Sequence, residues 1–192
     1  MDVSTPTGLL VTAVVGYLLG SIPVADLVTD RRSAVDLRDV GDHNPGYWNA
    51  KTTLGRRAAL PIFVGDVAKG TVAALVGAAL ASPGVWGMAY VGAGAAMIGH
   101  AWPLFAHFRG GRSVLTFVGG AIVFAPVPAL VAIGALLVVF AVTRSFARAA
   151  QVGIVVFPIA QLVIEGPYRT AATGVLMTFI GFRFLTARSI EA

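Results

Sequence analysis

Apolar blocks near residues 6–28, 58–81, 85–106, 112–126, 127–143, 147–165 and 168–187 follow one another, with the charged residues gathered between them. Most of these blocks have the roughly 18 to 25 residues needed to cross a hydrocarbon core of about 30 Å. No water satisfies the backbone inside that core, so each block must bond its own N–H and C=O groups, which within one segment only a helix does. The length of the runs excludes a barrel of short alternating strands. A balance of 57% hydrophobic to 12% charged residues excludes disorder, a coiled coil and a soluble enzyme. Residues 1–192 therefore read as a single all-α, polytopic membrane domain with about seven transmembrane helices. Six is the alternative count, because Pro126 and Pro128 either separate two helices or kink one long one.

Short cytoplasmic connectors collect Lys and Arg. Arg31, Arg32, Arg38, Lys51, Arg56 and Arg57 lie in the first connector, Arg109 and Arg112 in the third, Arg144 and Arg148 in the fifth, and Arg183 and Arg188 at the C-terminal end. Only Arg169 falls on the other side. This alternation predicts an N-terminus outside and a C-terminus in the cytoplasm. The first apolar run has neither a basic lead nor a small-residue cleavage site and reads as a retained helix. The net charge of +5 then reflects orientation and attraction to anionic membrane lipids, and no nucleic acid partner is expected. Gly16 and Gly20 on one run, with Gly92, Gly94, Ala95 and Ala96 on another, predict backbones in close approach. The absence of cysteine excludes a thiol nucleophile and thiolate metal sites. His43, His100 and His107 lack metal-ligand spacing, so no metal or other cofactor is expected.

Three segments carry chemistry. The first connector contains Asp36-Leu-Arg-Asp-Val-Gly-Asp-His-Asn-Pro-Gly-Tyr-Trp-Asn49, in which Gly41 and Gly46 permit tight turns while Asn44 and Asn49 offer side-chain amides to an anion. In the third connector Arg109 and Arg112 flank Gly110 and Gly111 at the start of an apolar run. Glycines let backbone N–H groups reach an anion, arginines add paired donors, and a following helix presents its positive end, so the outline is a phosphate cradle. Asp66 and Lys69 are three residues apart on one helical face, where an unpaired charge would cost at least about 2.5 kcal/mol. They are expected to pair with each other or with a polar cavity.

Taken together these segments resemble the acyl-phosphate-dependent glycerol-3-phosphate acyltransferases of bacteria, the PlsY family. The likeness rests on Gly20-Ser21-Ile22-Pro23, on the Asp36–Asn49 loop, on Asp66-x-x-Lys69-Gly70, and on Gly99-His100 with Phe108-Arg-Gly-Gly-Arg112. It implies transfer of a fatty acyl group from acyl phosphate to the 1-hydroxyl of glycerol 3-phosphate, giving lysophosphatidate and phosphate at the cytoplasmic face of a bacterial inner membrane. It further implies catalytic roles for Asp42, Asn49 and Arg112. Substrate binding would fall to Ser21, Arg38, Gly41, Asn44, Gly46, Lys69, His100, Arg109, Gly110, Gly111 and Arg183. In this reading no covalent acyl-enzyme is needed, because acyl phosphate already carries a good leaving group.

The chain departs from the family pattern at Asp42, where the family has Ser, at Thr52, where it has Arg, and at Phe182 and Leu185, where it has His and Asn. An ionised Asp42 repels phosphate unless a cation neutralises it, and it is also a candidate to accept the acceptor's hydroxyl proton. The alternatives are a relative with a changed acceptor or lost catalysis, or a small-anion transporter.

Overall fold

A computed structural model describes residues 6–32 and 35–188. The helices are α1 (Pro6–Gly20), α2 (Val24–Arg32), α3 (Tyr47–Leu54), α4 (Arg56–Ala79), α5 (Gly87–Ala101), α6 (Val114–Phe124), α7 (Pro126–Thr143), α8 (Phe146–Glu165) and α9 (Pro167–Arg188), with a short 3-10 turn at Leu104–Ala106. The described residues contain no strand. The side chains of Arg31, Arg32 and Arg188 lie outside the described residues.

Proline and glycine punctuate the chain. Pro6, Pro126 and Pro167 open helices, where their missing N–H has no partner to lose. Gly55 and Gly166 close α3 and α8 with φ of 86° and 85°, which glycine adopts without a Cβ clash. Ser145 caps α8 by accepting from the Arg148 amide at 3.4 Å.

Length and apolarity qualify four helical stretches to cross a membrane: Pro6–Thr29, Arg56–Ala79, Pro126–Thr143 and Phe146–Glu165. The expected seven full-length runs are not all present, and prolines explain the shortfall. The block at 85–106 is helical only over Gly87–Ala101, ending at Trp102-Pro103. The run at 112–126 shortens to Val114–Phe124 because Ala125, with φ −145°, turns the chain ahead of Pro126. That turn makes α6 and α7 separate helices, as the seven-span reading requires. The first block departs from the expected single helix, since Pro23 lacks an N–H and disfavours a helical Ile22, leaving Ser21–Pro23 irregular between α1 and α2.

The small residues act as expected. A Cβ on Gly16 would meet the Gly92 carbonyl oxygen at 2.7 Å, and one on Gly20 would overlap the Ala96 carbonyl. Gly92 likewise lies on the Ala73 carbonyl, Gly70 on Thr116 and Gly119 on Val67. The backbones of α1, α4, α5 and α6 therefore touch. The main core stacks Tyr90 on Phe124 at 4.0 Å between ring centres and sets Phe117 edge-on to Phe157. A second cluster of Leu37, Ala50, Ala59 and Ile62 seats the first connector and α3 against α4. Outward side chains such as Leu130, Val142, Val163 and Val175 are strongly exposed, which is favourable where the solvent is hydrocarbon.

Candidate active site

The first connector is folded around one amide. Asn49 is 1% exposed, and its Nδ2 donates to the carbonyls of Leu37 and Val40 at 2.8 Å each and of Asn44 at 3.3 Å. Its Oδ1 accepts from the Thr53 hydroxyl at 3.2 Å. Gly41, at φ +65°, comes so close to this oxygen that a Cβ would overlap it. Asn49 is thus the internal strut of the loop, and its amide is not directed at an anion as the sequence suggested. Gly46 packs under the Asn44 amide, where a Cβ would stand 2.7 Å from Nδ2.

Arg38 ties this loop to its neighbours. Its guanidinium grips both oxygens of Asp26 at 2.8 and 3.0 Å, reaches Asp36 at 3.0 Å, and donates through Nε to the Arg109 carbonyl at 2.8 Å. Partial burial disfavours charge here, yet the backbone N–H and guanidinium of Arg38 outweigh it and hold the Asp36 carboxyl below its ordinary range. Burial also opposes the Arg38 charge, and the two carboxylates overcome it, holding the guanidinium more firmly protonated than usual. A partner was needed that the sequence reading missed: Asp26, an acid near the C-terminal end of the first apolar block.

The third connector is built on the end of α5. Gly111 donates its N–H to the His100 carbonyl at 3.0 Å, and Gly110 packs so tightly on that carbonyl that no side chain fits. Arg183 reaches in from α9 and donates to the carbonyls of Ala101, Gly110 and Gly111 at 3.3 Å each, with its guanidinium 4.8 Å over the Trp102 ring. Arg183 therefore shapes the glycine turn from behind. Ser113 takes φ +64° and is anchored by its hydroxyl on the Met97 carbonyl at 2.7 Å, an uncommon backbone for a non-glycine residue. No side chain caps α6.

Within the bundle, Lys69 Nζ lies 2.9 Å from Asp66 Oδ1 and 3.4 Å from the Ile22 carbonyl in the Ser21–Pro23 break. His100 Nδ1 lies 3.4 Å from the same Asp66 oxygen. All three side chains are buried. Pairing was expected for Asp66 and Lys69; the histidine from α5 completes a triad that no spacing revealed. Ser21 is buried beside it, but its hydroxyl bonds back to the Tyr17 carbonyl at 2.8 Å.

These pieces meet in one cleft lined by Ile22, Arg38, Lys69, His100, Gly110 and Gly111. A Cβ on Gly111 would stand 2.5 Å from His100 Nε2 and 3.1 Å from Asn44 Oδ1, so the first connector, the glycine turn and the triad adjoin at that point. Beside it Arg112 closes an ion pair with Asp42, Nη1 to Oδ2 at 2.9 Å, while the Phe184 ring lies 4.7 Å from the guanidinium. The other Asp42 oxygen accepts from the backbone N–H of Asn44 at 3.3 Å. The neutralising cation that Asp42 requires is therefore Arg112. Arg109 keeps an exposed side chain at the rim. Arg169 lies apart, 3.8 Å from Glu165 and over Trp86.

Comparison with known proteins identifies the family. Residues 10–189 match the family described as glycerol-3-phosphate acyltransferase. Glycerol-3-phosphate acyltransferase 5 of Dehalococcoides mccartyi is 35% identical over 176 residues, covering 89% of this chain and 74% of that protein. The glycerol-3-phosphate acyltransferase of Rubrobacter xylanophilus is 41% identical over 152 residues, covering 79% of this chain and 75% of its own. The crystal structure of PlsY (YgiH), an integral membrane glycerol 3-phosphate acyltransferase, in its glycerol 3-phosphate form superposes with a TM-score of 0.81 at 26% identity, covering 95% of this chain and 90% of that one. The same protein in its lysophosphatidic acid form gives a TM-score of 0.77 at 25% identity, over 92% and 87%. The family match over residues 10–189, the identity to these relatives and the shared fold place the chain in the glycerol-3-phosphate acyltransferase family.

Proposed function

We propose that this chain transfers a fatty acyl group from acyl phosphate to the 1-hydroxyl of glycerol 3-phosphate. The observation that carries the reading is the cleft itself, where Lys69, His100, the glycine turn and Arg38 converge beside Arg112 and the uncapped start of α6. Donor, acceptor and product all bear phosphate, and cations with a helix N-terminus are what bind it. The acyl chain extends along the apolar helices.

In the net reaction the acceptor oxygen bonds to the acyl carbon, the bond from that carbon to the phosphate oxygen breaks, and phosphate departs with the hydroxyl proton. Arg112 and the first amides of α6 stabilise the phosphate and the developing oxyanion, and the cleft aligns hydroxyl with carbonyl. Asp42 holds Arg112 in place, with one oxygen on the guanidinium and the other on the backbone N–H of Asn44. Asn49, Gly41 and Gly46 keep the first connector in shape, and Arg183 and Arg38 keep the glycine turn beside it. One domain carries the whole site. The reading includes seven membrane crossings, an outside N-terminus, a cytoplasmic C-terminus and a site at the cytoplasmic face of a bacterial inner membrane, supported by the arginines gathered at that end.

Purified protein in phospholipid vesicles, given acyl phosphate with glycerol 3-phosphate, is expected to release phosphate and form lysophosphatidate at equal rates. Release only with another polyol would replace glycerol 3-phosphate as acceptor, as the altered positions Asp42, Thr52, Phe182 and Leu185 would then explain. Uptake of labelled anion into sealed vesicles without acyl product would favour transport.

A further inference from the structure

On the face of α3 opposite Asn49, Trp48 is 47% exposed and carries the Lys51 ammonium 4.4 Å over its ring. Trp48 stacks on Phe146 at the start of α8, with ring centres 5.5 Å apart and planes 18° from parallel. Phe146, also 47% exposed, stands between Arg144 and Arg148 in sequence, and Arg56 follows α3 directly; these three arginines are exposed. The result is an aromatic pair surrounded by cations drawn from two distant parts of the chain. No acidic residue occurs between His43 and Gly65 or between Val67 and Ile164, so neither segment contains an acid to neutralise the patch.

We propose that this surface binds the anionic phospholipids of the leaflet it faces, and that their binding holds the substrate loop in shape. Tryptophan favours the boundary between hydrocarbon and head groups, and clustered Lys and Arg beside it attract anionic lipid. α3 is an eight-residue helix, too short to be stable alone, and must be held by what lies on its two faces. Its inner face is the Leu37, Ala50, Ala59 and Ile62 cluster, together with Asn49 bonded to the loop carbonyls. Its outer face is the Trp48 and Lys51 surface. Head groups that pin the outer face therefore steady the strut of the first connector, which makes the order of the site depend on the charge of the surrounding bilayer. This rests on the proposed reaction only for its effect on rate; the binding and the ordering stand without it.

Hydrogen exchange of the full chain tests it without reference to catalysis. The chain is placed in nanodiscs of phosphatidylcholine alone or mixed with phosphatidylglycerol, and the backbone of residues 36–54 is followed. Exchange is expected to be at least about five-fold slower with phosphatidylglycerol, the effect of a single surface cation on an anionic leaflet. The combined variant R56Q/R144Q/R148Q is expected to lose that difference, and W48A, which keeps every charge, to reduce it. Equal exchange in the two bilayers would overturn the proposal and leave the patch to an acidic protein partner; a difference that survives the combined variant would overturn it as well.

Discussion

Asp42 and Arg112 give the sharpest test of the site, because the two charges oppose each other toward an anionic substrate. With Arg112 on the phosphate as proposed, Arg112→Gln removes a charge-assisted contact of about 2 kcal/mol, a factor of about 30 in kcat/KM. The substitution also leaves Asp42 unneutralised. A carboxylate and a phosphate roughly 5 Å apart repel by about 3 kcal/mol at an effective dielectric of about 20. The Asp42 side chain is 39% exposed, and solvent screening reduces this to about 1 kcal/mol, another factor of about five. The single variant is therefore expected to fall about 150-fold in phosphate release at limiting glycerol 3-phosphate. Asp42→Ser combined with Arg112→Gln removes the repulsion and is expected to recover about five-fold of that loss. A second lesion that improves on the first is not the behaviour of two merely structural residues. If the double variant is no faster than Arg112→Gln, with both retained in the membrane at equal levels, Asp42 does not face the phosphate and the assignment of this corner is wrong.

Other consequences are more local. Asn49→Asp keeps the size of the side chain but replaces donors to three loop carbonyls with a charge that repels them. It is expected to lower thermal stability by about 1 to 3 kcal/mol and to speed exchange of the 36–46 backbone. Gly70→Ala drives a Cβ into the Thr116 carbonyl and wedges α4 from α6, an overpacking cost of about 1 to 3 kcal/mol readable as a lowered melting point in detergent. Because Asp36 is held below its ordinary range, its contribution is present above the unfolded value of about 3.9 and is lost only as pH falls through the lower folded value. Limited proteolysis of the first connector is expected to stay slow at pH about 4 and to rise only on further acidification. In Arg38→Ala proteolysis is expected to be faster already at neutral pH and to lose this acid-dependent rise, because Asp36 then has no depressed value to lose.

The structure also separates what can be read from a one-dimensional pattern from what cannot. Helical spans were legible because hydrocarbon leaves a long apolar run no alternative, and close backbone approach at Gly16 and Gly92 was legible because small residues are needed wherever backbones touch, although not that these two would meet each other. Helical spacing put Asp66 and Lys69 on one face and left pairing with each other or with a polar cavity open; the structure shows the pair. Less visible was the length each helix would reach: Pro23, Pro103 and Pro126 cut or bend runs whose hydropathy is continuous. The roles of individual loop residues were the least legible. Asn49 and Arg183 carry donors suited to phosphate, and both direct them at carbonyls of the chain itself.

From the sequence alone come the all-helical membrane architecture, the family, and the set of polar residues that had to be reconciled with an apolar surrounding. These depend on composition and local spacing, which the bilayer reads directly. Tertiary structure decided which of those polar groups face an incoming substrate and which serve the scaffold. Asp26, Asp42 and His100 meet their partners Arg38, Arg112 and Asp66 across separations in the chain that no periodicity encodes, because only the folded connectors and packed helices bring those charges within reach of one another.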